Sequence, residues 1–186
     1  MPFEFRSLDR VPGVVHVIPR VFSDERGWFK EAHKASEFLA NGLPGVFHQV
    51  NQSFSRSMGT IRGLHLQLNP SPQGKLVRCV RGSIFDVAVD IRNGSPSFLH
   101  WIGRTLSAEN HEMLWVPEGL AHGFQTLEDD TEVIYLTTNE YSPELERTIL
   151  WSDRSIGIEW PILEPILNDR DATAPTLGEL DEEWGI

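Results

Sequence analysis

The 186-residue chain contains a single cysteine, Cys79. One thiol cannot close an internal disulfide, so stability must come from a hydrophobic core, and a reducing, cytoplasmic setting is expected. Long hydrophobic runs are missing too. Nowhere do 18 apolar residues follow one another, which excludes a membrane-spanning helix. The opening stretch, MPFEFRSLDRVPGVV, lacks the apolar segment of a secretory leader. Positive charge is in the minority, with 16 Lys and Arg against 27 Asp and Glu, for a net charge of −11. That balance argues against nucleic acid or an anionic membrane as a general partner. It does not exclude a local basic site, because Arg26, Arg62, Lys75, Arg78 and Arg81 all fall in the first half, whereas the tail GELDEEWGI is acidic. Internal repeats and low-complexity linkers are absent.

What the sequence does have is many short strand-like runs. VVHVIPRVF (14–22), GVFHQVNQSFS (45–55), KLVRCVRG (75–82) and SIFDVAVDIR (83–92) are rich in β-branched and aromatic residues. FLHWIGRTLS, HEMLWVPEG, HGFQTLED and TEVIYLTTN follow, each bounded by turn-forming residues. In FDVAVDIR, Phe85, Val87, Val89 and Ile91 point one way, and Asp86, Ala88, Asp90 and Arg92 the other. Arg81-Gly82-Ser83 reads as a hairpin turn. Helical signals are few: HKASEFLANGL (33–43), closed by Gly42, and a short helix in TAPTLGELDEEW. The pattern predicts one all-β domain over residues 1–186, a sandwich, jelly roll or barrel, with a non-strand extension from about residue 161.

The stretch IRGLHLQ (61–67) carries a histidine, His65, open to three readings: metal ligand, general base or space-filling side chain. Pro117, Gly119 and His122 in VPEGLAHGF form P-x-G-x-x-H, which resembles the second half of a cupin metal site. The first half of such a site reads H-x-H followed by a glutamate. Here Gln67 takes the second ligand place and no glutamate follows. Two histidines and a neutral amide are a poor set for a divalent transition metal, so neither metal nor other cofactor is expected. A histidine freed from a metal can serve as a base near neutral pH, best with a carboxylate to hold its tautomer. Several aspartates could supply that carboxylate, and the sequence alone does not choose among them.

DERGWFKE (24–31), QVNQSFS (49–55), RGLHLQ (62–67), QGKLVRCVRG (73–82), FDVAVDIR (85–92), LSAENHEMLWVPEGLAHGFQTL (106–127), YLTTNEYSPELE (135–146) and GIEWP (157–161) occur in this order. Together they resemble the dTDP-4-dehydrorhamnose 3,5-epimerases, metal-independent enzymes of cupin-type jelly-roll fold. The resemblance runs from about residue 14 to about residue 175. It implies an isomerase that converts dTDP-4-dehydro-6-deoxy-D-glucose to dTDP-4-dehydro-L-rhamnose, on the path to dTDP-L-rhamnose.

By the family pattern His65 is the base, Asp171 its carboxylate partner, Tyr135 the proton donor and Lys75 the cation near the enolate oxygen. Arg26 and Arg62 match contacts to the diphosphate and sugar, and Arg170, a further binding position, stands where the family has a basic residue. Phe29, Glu31, Gln49 and Asn51 match positions around the pyrimidine, and His122, Tyr141 and Glu146 further substrate contacts. The resemblance also implies a homodimer in which strand exchange carries the segment from Arg26 to Glu31 into the neighbour's site. A single-carbon epimerase or 3,4-ketoisomerase on the same scaffold, a nucleotide-sugar binding module and a metal-dependent cupin are the alternative readings.

Overall fold

The structure is a computed structural model and describes residues 2–180. Thirteen strands form in chain order: β1 (Phe3–Ser7), β2 (Val15–Pro19), β3 (Val21–Asp24), β4 (Gly27–Lys30), β5 (Gln49–Ser55), β6 (Ile61–Gln67), β7 (Lys75–Arg81), β8 (Ser83–Asp90), β9 (Trp101–Ser107), β10 (Met113–Val116), β11 (Leu120–Thr126), β12 (Thr131–Thr137) and β13 (Glu146–Thr148). Helix α1 (Ala35–Ala40) falls within the predicted 33–43 segment, and Gly42, at φ 76°, follows its end. Of the helix expected in TAPTLGELDEEW, a single 3-10 turn forms at Leu177–Glu179; its last residues lie outside the described ones. Helix α2 (Asp169–Ala172) was not foreseen.

The strands make two antiparallel sheets, ordered β1-β2-β10-β7-β12-β5 and β13-β6-β11-β8-β9, while β3 and β4 pair only with each other. This is the expected all-β, cupin-type jelly roll. One core lies between the two sheets: Val77, Cys79, Leu114 and Val133 from the first meet Ile84, Ala88, Leu106 and Phe124 from the second. A second core covers the outer face of the five-stranded sheet. There Val87, Val89, Leu64 and Leu66 pack under Ile149, Ile156, Trp160 and Leu177 of the C-terminal segment. A third, on the outer face of the six-stranded sheet, gathers Phe38 of α1 with Phe3, Leu76, Met113 and Trp115.

The alternation in FDVAVDIR holds, but its polar row does not face water. Ile84, Asp86 and Ala88 point between the sheets, so β8 is buried on both faces. The turn at Gly82 is a correction. β7 and β8 lie in different sheets and do not pair. Gly82, at φ 72°, carries the chain across the barrel, and a Cβ there would stand 2.5 Å from Thr131 Oγ1. A tight glycine turn has the same local chemistry whether the chain returns beside itself or crosses to the facing sheet.

Candidate active site

The site opens at a point where β6 breaks its own alternation. Strict alternation along IRGLHLQ would set Arg62 and His65 on opposite faces. Against β11, however, His65 pairs with His122 while Arg62 pairs with Phe124, so β6 spends one extra residue there. The bulge sends Ile61, Leu64 and Leu66 into the outer core and lets both Arg62 and His65 line the inner cavity. Gly63, at φ 137°, makes this possible. A Cβ on it would meet Gly123 Cα at 2.6 Å and the His122 carbonyl oxygen at 2.9 Å.

Asp171 reaches His65 from the C-terminal segment. Its Oδ1 lies 2.8 Å from His65 Nε2, and its Oδ2 accepts the Gly63 backbone N–H at 3.2 Å. Asn168 caps α2, its side-chain oxygen accepting the Asp171 N–H at 2.7 Å. Asp171 is fully buried, while His65 keeps 28 % of its side chain exposed. Burial alone would raise the Asp171 pKa. The His65 hydrogen bond and charge, the Gly63 N–H and the nearby Arg170 outweigh it and hold the carboxyl below its ordinary value.

Around this pair the inward rows of β5, β7 and β12 complete a cavity of about 270 Å³, lined by Gln49, Asn51, His65, Gln67, Gln73, Lys75, Tyr135, Tyr141 and Glu146. A contiguous cavity of about 210 Å³ shares His65, Lys75, Tyr135 and Glu146 and extends to Arg62, His122 and Asp171. Lys75 is buried, its Nζ 3.5 Å from the His65 carbonyl oxygen. Desolvation pulls its ammonium down to about 8, against the opposing pull of Glu146 and Asp86. Burial, and then the Glu146 charge, push the Tyr135 phenol up, while Arg62 acts the other way.

Glu146 binds the rim together: its Oε2 takes Arg170 Nη1 at 2.8 Å and the Tyr141 hydroxyl. Arg170 Nη2 also donates to Thr148 Oγ1 at 2.8 Å. His122, one strand over from His65, is buried with its Nε2 2.8 Å from Asp86 Oδ1. The arrangement can take a proton at His65, hold negative charge beside Lys75 and give a proton from Tyr135.

Of the residues singled out from the sequence, eleven thus meet here: His65, Asp171, Tyr135, Lys75, Arg62, Gln49, Asn51, His122, Tyr141, Glu146 and Arg170. Arg26, Phe29 and Glu31 do not. They sit on or beside the separate β3–β4 hairpin, with Phe29 66 % exposed and away from this chain's cavity. Gln67 is a clamp: Nε2 donates to the carbonyls of Ser71 and Glu140, and Oε1 accepts the Ser142 N–H at 2.8 Å. Among the described residues no cluster of three His, Cys, Asp or Glu side chains is placed to hold a metal ion.

Sequence reasoning passed over Gln73, Ser53, Asn168 and Asp86. Asn168 had a signal, an Asn three residues before an Asp at a helix start. Asp86 had none, since on a strand it reads as an ordinary solvent-facing carboxylate.

The family model described as dTDP-4-dehydrorhamnose 3,5-epimerase matches residues 9–179. A Shigella flexneri dTDP-4-dehydrorhamnose 3,5-epimerase is 52 % identical over 172 residues, 92 % of this chain and 94 % of that one. The Legionella pneumophila epimerase solved with dTDP-4-keto-L-rhamnose has a TM-score of 0.92 at 38 % identity, covering 98 % of this chain and 96 % of the other. A Streptomyces bikiniensis 3′-monoepimerase, solved with dTDP-quinovose, has a TM-score of 0.88 at 36 % identity, covering 95 % and 89 %. With the match spanning nearly the whole barrel and the Asp171 segment, the chain belongs to the dTDP-4-dehydrorhamnose 3,5-epimerase family.

Proposed function

We propose that this protein epimerises dTDP-4-dehydro-6-deoxy-D-glucose at C3 and C5, giving dTDP-4-dehydro-L-rhamnose. The observation that supports this reading best is the His65–Asp171 pair, which shares one cavity with Lys75 and Tyr135. C3 and C5 both flank the C4 ketone, so their protons are acidic enough for an imidazole base. His65 takes the proton, and the electron pair moves onto the ketone oxygen as an enolate. Asp171 steadies the imidazolium that forms. Lys75 lies where a cation offsets the enolate charge in a dry setting. Tyr135 returns a proton to the other face of the carbon, and its raised pKa keeps that proton in place until the enolate forms.

Arg62, Arg170, Gln49, Asn51, His122, Tyr141 and Glu146 hold the sugar and nucleotide. No metal or cofactor is needed for this sequence of steps. The lone buried Cys79 fits a cytoplasmic enzyme, and no described helix is long and apolar enough to cross a membrane.

The working unit we propose is a homodimer. Val50 and Phe54 on edge strand β5 are 64 % and 46 % exposed, as are Phe22 and Phe29 on the hairpin in similar measure. Exposed apolar residues of this size favour a partner surface. In that dimer Arg26, Phe29 and Glu31 serve the neighbour's site. Light scattering should give twice the chain mass; a monomer with full activity would remove this part of the reading.

Incubation of the protein with the 4-keto substrate in deuterated water tests the reaction. Deuterium is expected at both C3 and C5. Label at C3 alone would favour the second reading, a monoepimerase, to which the Streptomyces likeness lends weight.

A further inference from the structure

The β3–β4 hairpin has no ladder to either sheet, yet it carries residues that the dimer needs at a defined place. Its register pairs Phe22 with Phe29, Ser23 with Trp28 and Val21 with Lys30. Cross-strand partners share a face. One face therefore offers Phe22 and Phe29 outward, while on the other Trp28, itself 58 % exposed, and Lys30 meet His111 of this chain's own barrel. The turn is closed by Asp24, whose Oδ1 accepts the Arg26 N–H at 2.9 Å.

On the barrel side, His111 meets the inner face. Its ring lies against Trp28 with centroids 4.4 Å apart and planes at 54°. Its carbonyl accepts Lys30 Nζ at 3.4 Å, and the same ammonium sits 5.5 Å from the Trp28 ring centroid. His111 is itself held firmly. At φ 61° it projects from a loop in which the Asn110 side chain accepts from the Ser107 and Glu112 N–H groups and donates to the Thr105 carbonyl. Burial, and then the Lys30 charge, lower the His111 pKa.

We propose that Trp28, Lys30 and His111 form a latch that sets the angle at which the hairpin presents Arg26, Phe29 and Glu31 to the neighbouring subunit's nucleotide site. The proposal rests on the homodimer reading above. These three are positioning residues: none lies in this chain's cavity, and they act on substrate through the hairpin alone. The latch matters because the hairpin's ladder fixes only its internal shape, so its direction depends on contacts outside the ladder.

His111→Asn tests it, because asparagine tolerates the positive φ and removes the ring. KM and the dissociation constant for dTDP should rise about three- to tenfold, the range of one lost ring contact. The maximal rate and the dimer mass should stay near wild type. Trp28→Phe should keep most of the affinity, and Trp28→Ala should lose it. Unchanged dTDP affinity in both His111→Asn and Trp28→Ala overturns the latch, and so does a fall to monomer, which would make His111 an interface residue. Arg26→Ala separates the two levels. If it leaves dTDP affinity unchanged, the hairpin's role in binding is wrong. If it weakens binding while His111→Asn does not, only the latch fails.

Discussion

Two His–Asp pairs have their histidines on neighbouring strands of the barrel, and they are alike only in outline. Each joins Nε2 to a carboxylate oxygen at 2.8 Å, and His65 and His122 stand opposite each other in the β6–β11 ladder. His65 keeps 28 % of its side chain open to the cavity, His122 only 7 %. Asp171 has both oxygens satisfied, by His65 and by the Gly63 N–H, whereas Asp86 Oδ2 is buried without a partner. The carboxyl pKa values accordingly move in opposite directions. Asp171 lies below its ordinary value, while burial, only partly offset by His122 and Lys75, holds Asp86 above it. Access, and how fully the carboxylate is hydrogen-bonded, separate the proposed base, His65, from His122, which its buried partner holds in place at the cavity wall.

The comparison breaks most visibly on rate. His65→Ala should abolish solvent exchange at both carbons. Asp171→Asn should lower kcat by about a thousandfold or more, as expected when the group that fixes a base's tautomer is neutralised. Mass spectrometry of product formed in deuterated water reads both.

Asp86→Ala should act chiefly on stability. Breaking a buried pair and leaving His122 unpartnered should lower Tm by about 10 °C, with a smaller loss of kcat than Asp171→Asn; calorimetry beside initial rates separates the two. If Asp86→Ala cost as much rate as Asp171→Asn at unchanged Tm, both pairs would be catalytic and the contrast would fall.

Lys75 sharpens the picture through pH. With its ammonium at about 8, kcat/KM should decline above that pH as the cation is lost, and Lys75→Gln should flatten that limb while lowering the plateau. A pH–rate profile of the free enzyme reports this directly.

The smallest effect is in the linkage between pH and stability. Asp171, with its folded pKa depressed, contributes stability present above the unfolded value of about 4 and lost as pH falls through the lower folded value. Asp86, with its folded pKa raised, contributes stability present below about 4 and lost as pH rises through the higher folded value. Urea titrations should therefore show the gap between wild type and Asp171→Asn narrowing on acidification. The gap between wild type and Asp86→Asn should shift toward wild type over the same range.

These two carboxylates also mark how far the sequence could be read. The strands were legible because period-two alternation is a local property, and β8 shows it plainly. Whether the second face of β8 meets water or another sheet is not local, so the alternation alone did not reveal that Asp86 is buried. The crossing at Gly82 was misread for the same reason. His65 could be questioned from its own neighbours, and Gln67 stands where an H-x-H ligand pair would have its second histidine. Its clamp on Ser71, Glu140 and Ser142 depends on loops far away in the chain. Asp171 was reached only through family likeness, since no spacing rule connects it to His65. The bulge at Gly63, which turns Arg62 and His65 to one side, was invisible without the partner strand.

The origin of Asp171 has a consequence for how the protein comes into being. Every strand of both sheets is complete by Thr148, and the carboxylate that supports the proposed base lies beyond them, in α2. A chain leaving the ribosome can therefore lay down every strand while still lacking the carboxylate partner of the proposed base, His65. The His65–Asp171 pair can form only when the C-terminal segment lies down over the outer core and Asp171 slots behind Gly63. Pulse-labelled nascent chains stalled on either side of α2 would separate a folded barrel from an active one.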